Sequence, residues 1–144
     1  MVGKVKIKLL DNNATVPYKG SAEAAGFDLY SIEDADIEPG QRKMIRTGIS
    51  IAIPNGYFGA IYARSGLACK RGLRPANCVG VVDSDYRGEV MVCLNNDSDD
   101  EQKIHKYDRI AQLIIQSYEK IEFEVVDDLD NTDRGDGGFG SSGN

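Results

Sequence analysis

Apolar and charged residues alternate at the start of the chain, where Val5, Ile7 and Leu9 are set against Lys4, Lys6 and Lys8. A period of two is the signature of a half-buried β-strand. The same period runs through Ile49, Ile51 and Ile53 and through Ile121, Phe123 and Val125, while Tyr57 to Ala63 and Glu89 to Leu94 also read as strands. Turn-forming clusters separate them at Asp11-Asn12-Asn13, Pro39-Gly40, Pro54-Asn55-Gly56 and Asn95-Asn96-Asp97. Many short strands at this spacing predict an all-β sandwich or barrel. Gly80 to Val92 (GVVDSDYRGEVMV) reads as a β-hairpin whose turn carries Asp83, Asp85, Tyr86 and Arg87. Over Arg109 to Gln116 two periods compete: Ile110, Leu113 and Ile114 fit a helix, whereas Ile110, Gln112, Ile114 and Gln116 alternate. The surrounding strands favour strand here too. One short helix is predicted over Gly66 to Arg71, capped by Ser65 and ended by a left-handed Gly72, although an ordinary connecting loop fits the stretch equally.

A chain of 144 residues matches one domain with its own core. Its three cysteines, at 69, 78 and 93, are widely spaced and form no C-x-x-C pair, which predicts reduced thiols in an intracellular setting, cytoplasmic or nuclear. The opening MVGKVKIKLL lacks the apolar run of a signal peptide, and no stretch approaches the ~20 apolar residues of a membrane span. No membrane role is expected. A net charge of −6 also argues against binding duplex nucleic acid by phosphate neutralisation. A free nucleotide needs only a local cluster of cations, which Arg64, Lys70, Arg71, Arg74 and Arg134 are placed to supply. The acidic run Asp97 to Glu101 reads as a solvated loop, and neither it nor Asp127 to Gly135 has the ligand order of an EF-hand.

Candidate chemistry gathers in three places. The first is the tail RGDGGFGSSG, Arg134 to Gly143, in which glycine is half of the residues. Such a backbone can turn its N–H groups onto an anion, with Arg134, Ser141 and Ser142 as further donors and Phe139 as an aromatic cover. Its composition equally fits a disordered end. The G-x-G-x-x-G spacing at Gly135, Gly137 and Gly140 carries no weight, since a dinucleotide fingerprint lies between a strand and a helix. The second place is the Gly80–Val92 turn. There a half-buried Asp83 at a strand end would keep its charge through hydrogen bonds and deprotonate a water. The third is the start of the short helix, an anion site beside Arg64 if the helix forms.

The segments AGFDLYS (25–31), ARSGLACKRG (63–72), GVVDSDYRG (80–88), DRIAQLI (108–114) and RGDGGFGSSG (134–143) follow one another in this order. With all five in register, the chain closely resembles the homotrimeric dUTPases, the dUTP nucleotidohydrolases. The resemblance implies a jelly-roll-like β-barrel of the β-clip type over residues 1–133, with one short helix and a flexible C-terminal arm, 134–144, closing over the active site. It implies hydrolysis of dUTP to dUMP and pyrophosphate with Mg²⁺, limiting uracil in DNA and supplying dUMP for dTMP synthesis, in a homotrimer whose sites draw on three subunits. Carried onto this sequence, Asp83 is the base for the water that attacks the α-phosphorus. Tyr86 lies under the deoxyribose and excludes a 2′-hydroxyl. Backbone groups around Val81, Val82 and Met91 read uracil, assisted by Asn77. Arg64, Ser65 and Gly66 hold phosphates and Gln112 contacts the α-phosphate region. Asp28 reaches Mg²⁺ through water, the direct ligands being triphosphate oxygens. Arg134, Phe139, Gly140, Ser141 and Ser142 close over γ-phosphate and base.

Three positions depart from the family pattern. Ala63 replaces the usual proline, Tyr107 replaces a glycine before Asp108, and Ser142 replaces a threonine while keeping the hydroxyl. The tyrosine would disturb the loop before Asp108 if that position needs φ > 0. His105, in the polar KIHKYD, reads as a surface residue, and Cys93 lacks a neighbouring base that would make it a nucleophile. Two other functions share the implied fold: a dCTP deaminase, disfavoured by the complete hydrolase motifs, and a dUTP-binding regulatory module, disfavoured by the intact Asp83, Tyr86 and tail.

Overall fold

The computed structural model describes residues 3–141 and Gly143. Eleven strands and one helix follow in the order β1 (Lys6–Leu9), β2 (Phe27–Tyr30), β3 (Ala35–Ile37), β4 (Arg42–Arg46), β5 (Ile49–Ala52), β6 (Tyr57–Tyr62), α1 (Ser65–Arg71), β7 (Leu73–Pro75), β8 (Gly80–Val82), β9 (Met91–Asn96), β10 (Gln102–Ile104) and β11 (Arg109–Ser117). All pairings are antiparallel, in four sheets: β2-β11-β6-β8, β4-β9-β7, β1-β5 and β10-β3. The all-β expectation holds, with one short helix. Among the described residues the ladders do not join into a closed barrel; sheet segments wrap one core instead.

That core follows from the alternation. In β9, Val92, Leu94 and Asn96 point inward while Met91, Cys93 and Asn95 are more open. They meet Ile45 of β4, Leu73 of β7, Ile37 of β3 and Ile104 of β10, all fully buried. The buried amide of Asn96 donates to the carbonyls of Ile37 and Asp100, both at 2.8 Å, and its Oδ1 accepts from Ser98. Asn95 and Asn96 therefore belong to the strand, and the predicted turn begins after them.

Strand β11 settles the competing periods of Arg109 to Gln116. It lies between β2 and β6, and its pairing with β2 shifts register between Arg109 and Ala111, which lets the consecutive Ile110 and Ala111 both be buried. Helical spacing loses because both edges of the segment find backbone partners.

Three expectations change. Strands β8 and β9 do not form a hairpin ladder: β8 pairs with β6, and β9 with β4 and β7. The polar turn therefore connects two sheets and leaves a gap between them. Second, the helix begins at Ser65 itself, with Arg64 at the cap position and no side-chain cap, while Gly72 ends it at φ 66° as predicted. Third, Ile121, Phe123 and Val125 alternate yet form no strand and stand 67%, 93% and 97% exposed. A strand needs an edge for its backbone and a surface for its apolar face, and among the described residues this segment pairs with no strand and buries none of these three side chains.

Candidate active site

The gap between β8 and β9 is a cleft of about 250 Å³ bordered by Asn77, Val81, Val82, Asp83, Tyr86 and Met91, with Met44 from β4 at its rim. Strand β8 is the last in its sheet, so alternate backbone groups on its outer edge face the cleft unpaired. On the opposite wall, β7 pairs with β9 only from Leu94 to Asn96, which leaves Met91 and Val92 without a strand partner on that side. Two such edges present both donors and acceptors to the cleft. Val82 is buried, whereas Val81 turns its side chain outward, so the peptide groups rather than the valine side chains supply the polar contacts.

Asp83 follows β8 at the mouth of this cleft. Its carboxylate is exposed and accepts no hydrogen bond from the described residues, which corrects the half-buried, hydrogen-bonded carboxylate expected from the sequence. Tyr86 is partly exposed, and its hydroxyl donates to the carbonyl of Glu89 at 3.0 Å.

A second group assembles at the far end of β6. Asp28 on β2 faces Gln112 on β11, and Gln112 faces Tyr62 on β6. The Gln112 amide donates to the carbonyl of Ala63 at 2.8 Å, which fixes it beside Arg64, Ser65 and Gly66 at the start of α1. Asp28 pairs with Arg64 (Nε to Oδ1, 2.9 Å) and lies 3.6 Å from Nη1 of Arg109. Arg71 and Arg74 do not join this group, because Arg71 is bonded to Gln102 and Arg74 to Asp97. Of the expected cation cluster, Arg64 is the member held here, and Arg109 is a cation that the sequence reading missed.

Gly26 was also missed. A Cβ there would overlap Oε1 of Gln112 and stand 3.2 Å from its Cβ and Cδ. Gly26→Ala is therefore expected to displace the Gln112 amide with little change in melting temperature, as the variant's structure and thermal unfolding would show. The sequence offered only a glycine one residue before a strand.

Tyr107 takes φ 72°, the left-handed conformation that suits the glycine more usual at this position. Its loop is held by several bonds: Tyr107 N–H to Ser31 O (2.8 Å), Ser31 N–H to Asp108 O (2.9 Å), His105 N–H to Asp108 Oδ2 (2.8 Å), and the Tyr107 hydroxyl to Asn13 (2.9 Å). These bonds offset the strain just before β11. His105 is exposed, as expected.

The tail residues are not brought to either group. Arg134 Nε donates to Gly137 O at 2.6 Å, Gly137 N–H to Arg134 O and Ser141 N–H to Gly138 O, so these bonds close within the arm. Phe139 is fully exposed, and Gly140 has φ 84°. Ser142 lies outside the described residues.

An antiparallel β-clip with an edge-lined cleft and a separate arginine-carboxylate corner is the build of a nucleotide-processing protein. The dUTPase family model matches residues 12–143. The chain is 49% identical to the deoxyuridine 5′-triphosphate nucleotidohydrolase of Nautilia profundicola over 97% of its own length and 99% of the relative's. It is 47% identical to that of Corynebacterium glutamicum over 96% and 94%. In three dimensions it is similar to the dUTPase of Staphylococcus bacteriophage 80alpha with dUpNHpp, with TM-score 0.91 and 29% identity over 99% of both chains. A further neighbour is a mutant dUTPase from phage phi11 of S. aureus, a structure that reveals the molecular details for the coordination of a structural Mg(II) ion; it is 25% identical, with TM-score 0.80 over 88% of this chain and 99% of its own. The chain belongs to the dUTPase family, and its enzymatic activity is hydrolysis of dUTP, that of a dUTP diphosphatase.

Proposed function

We propose that the chain cleaves dUTP to dUMP and pyrophosphate as a homotrimer, with Asp83 activating the water that attacks the α-phosphorus. The observation that supports association of copies is the register of β6. Val82 faces Gly59, so Asp83 lies near one end of the strand, whereas Arg64 follows its other end. About six strand positions at ~3.3 Å separate them by roughly 20 Å. That separation favours phosphate ligands supplied to an Asp83 base by another copy. Two surfaces support association: the exposed Ile121, Phe123 and Val125, and an apolar hollow of about 250 Å³ beside β1, flanked by Val5, Ile7, Phe27, Ile51 and Ile115.

In this reading uracil enters between β8 and β9, where peptide groups match its N3–H and O4 and mismatch cytosine. Asn77 supports that edge. The Tyr86 ring forms the sugar floor. Arg64, the N–H groups at Ser65 and Gly66, and Gln112 hold the phosphates from a neighbouring subunit, and Arg134, Phe139, Gly140, Ser141 and Ser142 of the arm, residues 134–144, close over them and exclude water. Asp28 suits Mg²⁺ as an outer contact: a lone carboxylate already bound to guanidinium groups is no direct cation cage, and no cluster of three metal-ligating side chains occurs among the described residues. It would hold the ion through its water shell, with phosphate oxygens as the direct ligands. When bound, the ion supplies charge neutralisation to the leaving pyrophosphate. The products follow: dUTP is kept from DNA synthesis, and dUMP becomes available for methylation to dTMP.

The test is incubation with Mg²⁺ and, separately, dUTP, dCTP, dTTP or UTP, followed by chromatographic separation of products, with mass determination by light scattering. Conversion of dUTP alone by a particle of three chains is expected. Deaminated product from dCTP would assign the deaminase reaction, and dUTP bound without turnover would make the protein a regulatory module.

A further inference from the structure

Tyr86 is not held by the core: the residue is 44% exposed and belongs to a loop between two sheets. Something else must fix it if it is to act as a steric floor, because an exposed aromatic on a free loop would yield to a single extra hydroxyl. Two contacts do so, and an ion pair braces them. Its hydroxyl donates to the carbonyl of Glu89 at 3.0 Å. Its ring lies directly against Gly88, where a Cβ would overlap the hydroxyl oxygen and stand 2.6 Å from Cζ and 3.0 Å from Cε2. The Glu89 side chain, only 14% exposed, is clamped in turn by Arg46 at the end of β4 in a two-pronged pair, Nε to Oε2 at 3.0 Å and Nη2 to Oε1 at 2.9 Å. Fork-to-fork pairing of this kind sets direction as well as distance.

The rest of the loop is tied to the same β4–β5 corner. Ser50 Oγ donates to the Arg87 carbonyl at 2.6 Å, Val90 N–H donates to the Ile49 carbonyl at 2.8 Å, and the Thr47 hydroxyl donates to the Val90 carbonyl. Arg46 itself is registered opposite Met91, on the strand that forms the other wall of the cleft. One guanidinium thus joins the wall of the base site to the floor of the sugar site.

We propose that Arg46, Glu89 and Gly88 are positioning residues for sugar discrimination: they hold the Tyr86 ring at the height that admits deoxyribose and excludes ribose. This rests on the reading of Tyr86 as the sugar floor. With the Arg46 side chain 47% exposed and that of Glu89 14%, solvent screens the pair on one side, so its effect on discrimination is separable from its effect on stability. Gly88 acts through space rather than backbone freedom.

The test measures kcat/KM for dUTP, UTP and dCTP by pyrophosphate release, with melting temperatures, for wild type, Tyr86→Ala, Tyr86→Phe, Gly88→Ala, Arg46→Gln, Glu89→Gln and the reversed pair Arg46→Glu with Glu89→Arg. The expected result is a rise of about tenfold or more in the UTP/dUTP ratio for Gly88→Ala, Arg46→Gln and Glu89→Gln, with the dCTP/dUTP ratio unchanged and melting within a few degrees of wild type. Tyr86→Phe, which removes only the bond to Glu89, is expected to show a smaller rise, and the reversed pair to recover most of the discrimination. An unchanged UTP/dUTP ratio in the Gly88, Arg46 and Glu89 variants, while Tyr86→Ala raises it, overturns the proposal alone. Equal losses toward all three substrates with lowered melting overturn it in favour of a purely structural role. An unchanged ratio in Tyr86→Ala refutes the sugar floor itself, and the positioning role with it.

Discussion

Asp83→Asn is expected to lower kcat for dUTP by about 10²–10⁴-fold while leaving nucleotide affinity within a factor of a few. The substitution keeps the shape and one acceptor oxygen but removes the basic oxygen that would take a proton from water. Its effect on folding should be small, within about 0.5 kcal/mol, because the Asp83 carboxylate is exposed and receives no hydrogen bond from the described residues. Single-turnover hydrolysis would measure the rate, calorimetry with a non-hydrolysable imido analogue the affinity, and thermal unfolding the stability. Undiminished turnover would remove Asp83 as the base.

Deletion of Arg134 to Asn144 is expected to lower kcat/KM by about 10²-fold or more with the fold intact. Loss of a single preorganised donor to developing charge costs on the order of 10²–10³ in rate, and the arm carries a guanidinium, two hydroxyls and several N–H groups. Stability should survive, since the hydrogen bonds of Arg134, Gly137 and Ser141 close within the arm and Phe139 buries no surface in the chain. Circular dichroism and light scattering would report the fold and assembly, and steady-state kinetics the activity. A truncated protein that fails to fold would make the arm structural; full activity would leave it without a role in closure.

Much of the site could be read from the sequence because short segments carry it whole. Asn77, Val81, Val82, Asp83, Tyr86 and Met91 lie within fifteen consecutive residues and fold into one cleft. Arg64, Ser65 and Gly66 are adjacent in the chain, and their position at a helix start needed only the left-handed Gly72 seven residues after Ser65. Long-range couplings were not legible. Nothing in the chain order says that Asp28 holds Arg64 across 36 residues, or that Arg46 grips Glu89 across 43. Gly26 and Gly88 have value only through the side chains that lie where their own would stand, Gln112 and Tyr86. The alternation at Ile121, Phe123 and Val125 was visible, but period two reports an apolar face and not what covers it.

By itself the sequence determined the all-β class, the inward set of apolar residues in each strand, the ending of the helix at Gly72, and the residue types able to bind a nucleotide. These depend on local sterics and on a two-residue period, which any short window of chain contains. Only the tertiary structure decided that β8 and β9 join different sheets, which opens the cleft a hairpin would have closed. It alone placed Asp83 and Arg64 at opposite ends of β6, and it alone anchored the Tyr86 loop to the β4–β5 corner. The physical reason is that backbone hydrogen bonds between strands are nearly indifferent to side-chain identity. Strand partners are therefore chosen by how the whole core closes, a choice that no short segment contains.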